Sequence, residues 1–140
     1  MTIENPKLLQ LLKTFEETVH LHTKYLDRCR NIVVLKSRPV DQYSSRLRKL
    51  KRISEKLERV LQDMLDTVNS GHYDHEIGEK LELLLFYISE TALPSEKEVW
   101  SRLGSAVLAT VGLDIDEQLS RINRVEVLSK SIYSTIVNLK

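Results

Sequence analysis

The chain has 140 residues, 41% of them apolar and 29% charged, with a net charge of +1, an ordinary composition for one globular domain. Four glycines and three prolines are too few turn-formers for an all-β sandwich. No run approaches the roughly 20 apolar residues of a membrane span, and a single cysteine, Cys29, excludes a disulfide scaffold.

The first predicted helix opens at Asn5-Pro6, where Asn caps and Pro is tolerated in the first turn. Leu8, Leu12, Phe15, Val19, His22, Leu26, Cys29 and Val33 follow at alternating spacings of four and three, with Leu11 and Tyr25 widening the stripe. Ser37-Arg38-Pro39 ends it, because the residue before a proline is pushed out of the helical region.

A second helix runs from about Val40 to Ser70. Tyr43, Leu47, Leu50, Ser54, Leu57, Leu61, Met64 and Val68 repeat the pattern, flanked by Ile53, Val60 and Leu65. Gly71 is its stop. The short connection over residues 37–40 makes these two an antiparallel hairpin over residues 6–70.

Shorter helices occupy residues 74–140. Asp74 caps a segment carrying Ile77, Leu81, Leu84, Leu85 and Ile88, and Ala92-Leu93-Pro94 breaks it. Ser95 with Glu98 reads as a capping box restarting a helix that carries Val99, Trp100, Leu103, Val107, Leu108 and Val111. The two pieces form one kinked rod over 74–111, or two separate helices. Gly112 stops it, and Asp114 or Asp116 caps a last helix carrying Ile115, Leu119, Ile122, Val125, Leu128, Ile132, Ile136 and Leu139. The expected fold is all-α: one domain, 1–140, built as a four-rod up-down helical bundle around the long hairpin, its third rod broken at Pro94. The alternative is an extended hairpin that dimerises, with the shorter helices packed at one end.

Familiar catalytic motifs are absent: there is no phosphate loop, G-x-S-x-G elbow, H-E-x-x-H helix or paired CxxC. His20 and His22 diverge by roughly 200° on a helix. His72 and His75, beside Asp74 and Glu76, lack the thiolates of a structural zinc site. Neither a cofactor nor a metal is expected. His22 occupies a seam position, where a polar group can fix register. Cys29 lies between Arg28 and Arg30 but also on the seam, where cysteine behaves as a small hydrophobe.

Charge is unevenly spread. Residues 28–59 hold eleven basic and three acidic side chains, and residues 60–119 hold twelve acidic and three basic. In the helical frame of Leu47, Leu50 and Leu57, the cations Arg46, Lys49, Arg52, Lys56 and Arg59 form one solvent-facing stripe. Local pairs such as Glu55 with Arg59 would neutralise part of it. Trp100, the one tryptophan, anchors either a core or an interface.

The expected function is therefore a non-enzymatic protein–protein interaction module, an adaptor or small helical subunit or assembly factor of a larger complex. Its candidate partner-binding residues are Arg46, Lys49, Arg52, Lys56, Arg59 and Trp100, facing a partner with an acidic surface. Homo- or hetero-oligomers through the helical seams fit the same pattern. The alternative is a nucleic-acid-associated protein that grips phosphates with the basic 28–59 hairpin, although aromatic interleaving for single-strand stacking is missing; anionic lipid is a further ligand for such a stripe. The lone cysteine and the opening MTIENPKLL, without a basic lead into an apolar run, point to an intracellular protein of cytoplasm or nucleus.

Overall fold

Apolar residues at spacings of four and three produce long helices that bury one stripe each. The computed structural model describes residues 6–34, 44–70 and 75–138. Helix α1 spans Pro6–Val34 and α2 Ser44–Ser70. Of the first seam, Leu8, Leu12, Phe15, Val19, His22, Leu26 and Cys29 are all buried; so are Leu47, Leu50, Ser54, Leu57, Leu61, Met64 and Val68 of the second. At 1.5 Å per residue α1 is about 43 Å long. The side chain of Val33, the residues Tyr43 and Leu139, the 37–40 connection, the Gly71 stop, the Asp74 cap and His72 lie outside the described residues.

The third rod differs from the sequence expectation. Helix α3 (His75–Tyr87) passes through one π-helical turn, Ile88–Ala92, into α4 (Leu93–Thr110) without a break at Pro94. The Leu93 N–H bonds the Ile88 carbonyl, five residues back. This wider turn withdraws the carbonyl that the pyrrolidine ring would otherwise strike, so the proline is absorbed in the first turn of α4. Ser95 and Glu98 consequently do not cap a new helix. The real interruption is Gly104, at φ 83° and ψ 162° inside α4, a region essentially reserved for glycine.

Helix α4 ends in a Schellman motif. Gly112, at φ 76°, donates to the Ala109 carbonyl at 3.1 Å, and Leu113 donates to Leu108 at 2.9 Å. Leu108 and Leu113 are both buried there. Arg48 of α2 donates to the Val111 carbonyl at 3.0 Å, placing a cation on a helix C-terminus where the macrodipole favours it. Asp114 then caps α5 (Ile115–Asn138), its carboxylate accepting from the Asp116 N–H at 3.1 Å.

Pairings between rods fix the topology. Helices α1 and α2 meet with Cys29 beside Arg46 and with His22 and Ser54 both reaching Glu96, so they are antiparallel. Lys51–Glu117, Ser54–Arg121 and Glu58–Arg124 advance together, so α2 and α5 are parallel. Glu96–Arg121 and Ser89–Ser129 run in opposite senses, so α5 is antiparallel to the third rod. Direction therefore alternates along the chain, as in an up-down bundle. Around the bundle, however, the order is α1, α2, α5, third rod, and α2 stands diagonally opposite α3 and α4.

Candidate functional site

Two features stand out: a buried polar network at the centre of the bundle and the charged outer face of α2.

The network gathers one residue or more from every rod. Glu96, fully buried, holds His22 of α1 by Oε1 to Nε2 at 2.6 Å. Its Oε2 accepts from Ser54 of α2 at 3.0 Å and from the Trp100 indole at 2.9 Å. The Arg121 guanidinium of α5 stands 3.6 Å away, donates to Ser54 at 2.9 Å and also donates to Gln118. Gln118 in turn donates to the Asp114 carbonyl at 3.1 Å. Burial pushes the Glu96 carboxyl up, but the hydrogen bond and charge of His22, the Trp100 N–H and the Arg121 charge outweigh it and hold the group below its ordinary value. An ionised carboxylate and a guanidinium thus neutralise one another in the core, each satisfied by hydrogen bonds. His22 gives Nε2–H to the carboxylate, while Nδ1 has no partner among the described residues. Sealed from solvent, this arrangement sets the register of four rods.

Trp100 belongs to this core. Its complete burial removes it from the partner-binding set proposed from sequence. Cys29 is also buried, and desolvation raises its thiol to about 12, against a lowering by Arg46, so the flanking arginines do not activate it. Among the described residues no three His, Cys, Asp or Glu side chains converge as a metal site. His75 is an exposed neighbour of Glu79 at 3.0 Å.

The remaining sequence-selected cations share one surface. Arg46, Lys49, Arg52, Lys56 and Arg59 are all exposed on α2, whose inner stripe is fixed by Leu47, Leu50, Ser54 and Leu57. The neighbouring cations are occupied: Arg48 by Val111, Lys51 by Glu117 at 3.8 Å, Arg121 by the core network and Arg124 by Glu58 at 2.7 Å. None of the five forms an ion pair among the described residues, and the expected Glu55–Arg59 pair is not made. The first turn of α2 carries no acid and its last turn no base, while Asp63 and Asp66 continue the exposed stripe with opposite sign. Arg46 at the N-terminus and acids toward the C-terminus oppose the helix macrodipole.

Sequence reasoning missed Glu96, Gln118, Arg121 and Ser129. The buried α5 positions Gln118, Ile122, Val125, Ser129, Ile132 and Ile136 follow the same four-and-three spacing as the other seams. That spacing is the available signal for Gln118 and Ser129, and it stays hidden when only apolar residues are counted along α5; Glu96 and Arg121 lie outside it. Comparison with protein families, characterised proteins and solved structures finds no match for this chain.

Proposed function

We propose that the chain is a non-catalytic helical interaction module, an adaptor or small subunit of a larger intracellular assembly in cytoplasm or nucleus, that docks an acidic protein surface on the outer face of α2. One observation carries this reading: five exposed cations, unpaired among the described residues, lie along one helix face while the adjacent cations of the same region are each committed to a partner. The stripe works against its own helix, through like charges three and four apart and a cation in the first turn. A local cost of this kind is expected of a binding surface and not of a stability device. The core network supports the reading by holding α2 rigid, so that the charges keep fixed spacing without the partner.

Binding of polyglutamate and of a short duplex DNA, each measured over a range of salt, tests it. The wild-type protein binds polyglutamate with a salt-dependent affinity, and Arg52→Glu, Lys56→Glu and Arg59→Glu together weaken that binding and flatten its salt dependence while the fold is kept. Undiminished binding by the triple variant overturns the docking face. Duplex DNA bound more tightly than polyglutamate at equal salt replaces the acidic protein with nucleic acid as the ligand.

A further inference from the structure

A groove lies open on the side of α3 and α5 away from the α1–α2 hairpin. It has a volume of about 400 Å³, floored by Leu85, Ser89 and Ser129. Its rims carry Phe86, 64% exposed, and Tyr133, 45% exposed, and the same two helix faces continue past it with Leu83, 72% exposed, and Val137, 40% exposed, apolar side chains that a folded chain normally hides. Leu83, Phe86 and Glu90 follow one another at spacings of three and four along one face; Lys130, Tyr133 and Val137 do the same along the other. The rods are antiparallel here, with Ser89 beside Ser129 at 3.3 Å, so the two rows run in opposite directions. Phe86 stands across from Tyr133 and Glu90 across from Lys130, within about one turn of equal height.

We propose that this groove is the contact between two copies of the chain, related by a two-fold axis parallel to the rods. Such an axis sets α3 of one copy against α5 of the other. Every residue of the two rows then meets its complement: Phe86 meets the second copy's Tyr133, Leu83 its Val137, and Glu90 its Lys130, each twice by symmetry. The pairing of opposite charges argues for this occupant, since the rims form a self-complementary set. An axis perpendicular to the rods instead sets α3 against α3 and α5 against α5, so Glu90 and Lys130 no longer face each other across the contact. Lys130 already bonds Glu126 at 3.0 Å on its own helix, an exposed pair that contributes little, and its ammonium has donors left for a second carboxylate. The basic face of α2 is diagonal to α3 and stays open, so the dimer presents two docking faces and gains avidity toward a repeated acidic partner.

The test is sedimentation of the full chain across a concentration range, with Glu90→Lys, Lys130→Glu and an equimolar mixture of the two variants. Both substituted positions are exposed, and circular dichroism confirms that each variant is folded. The wild type is expected to sediment at twice the 16.3 kDa chain mass. Each single variant puts like charges together at both symmetric sites and weakens self-association by about tenfold or more. The mixture restores it, because a dimer of one Glu90→Lys chain with one Lys130→Glu chain has opposite charges facing each other at both sites. A chain carrying both substitutions regains the wild-type mass for the same reason. A wild type that stays monomeric overturns the proposal. Dimers unaffected by either substitution overturn it as well, and so do single variants whose mixture remains monomeric.

Discussion

Glu96→Ala removes one carboxylate and strands partners on all four rods. His22 Nε2, the Ser54 hydroxyl and the Trp100 N–H lose their acceptor, and the buried Arg121 loses its counter-charge. Breaking a buried ion pair from one side costs about 3–5 kcal/mol, and each buried donor left unpaired adds about 1–3 kcal/mol. These terms overlap within one network, so the expected loss is about 5 kcal/mol, a large share of the roughly 5–15 kcal/mol of a whole domain. With a urea slope of about 1–3 kcal/mol per molar, the unfolding midpoint moves down by about 2 M. Glu96→Gln keeps the shape and one carbonyl oxygen, but it strands the Arg121 charge as Ala does and turns an NH2 toward a former donor; about 3–5 kcal/mol is expected. Combining it with Arg121→Met removes both charges and recovers stability relative to the sum of the single changes, with a coupling of about 1–3 kcal/mol. A loss below about 1 kcal/mol for Glu96→Ala, or strict additivity in the double variant, refutes the role assigned to this carboxylate.

Further outcomes follow from the same geometry. Acid unfolding begins below the ordinary Glu value of 4.5: the depressed Glu96 carboxyl contributes stability above that pH and loses it as pH falls through the folded-state value, and a pH titration of Glu96→Gln lacks this component. Cys29, raised to about 12 from 9.0, keeps a proton that the unfolded chain releases, so stability declines as pH rises between these values, and a thiol reagent at neutral pH reacts only at the rate of unfolding. Gly104→Ala forces a side chain into a glycine-only conformation and lowers the thermal midpoint by the equivalent of about 1–3 kcal/mol, although the space around an added Cβ is empty.

Much of the fold is legible in the sequence because apolar spacing reports burial directly. Every described seam position of α1 and α2 is buried, including the polar His22 and Ser54, and Gly112 and Asp114 end one helix and begin the next by the expected cap chemistry. The third rod is less legible. Proline normally breaks a helix, but a single π-helical turn upstream absorbs it, whereas the break falls at Gly104, where an isolated glycine gives no stronger local sign. The diagonal placement of α2 and α3 depends on which faces pack, and alternating direction alone is compatible with several orders around the bundle. Glu96 and Arg121 are opaque for another reason: a buried ion pair becomes visible only when residues 25 positions apart in sequence are brought together across the core. The basic stripe of α2 is readable from spacing and is exposed as expected; Trp100 leaves two readings open, and burial selects the core.

The docking face carries its cations at the expense of its own helix, so affinity and stability should move in opposite directions there. Lys49→Glu with Lys56→Glu turns each like-charge step of the stripe, from Arg46 through Arg52 to Arg59, into an opposite-charge pair. At about 0.2–0.5 kcal/mol for every repulsion removed and every attraction gained, the folded state gains about 2 kcal/mol. Urea unfolding and polyglutamate binding, measured together on this one variant, give the most direct test. A raised midpoint with weakened binding is the expected result; a lowered midpoint with binding retained contradicts the assignment of the α2 face as a docking surface.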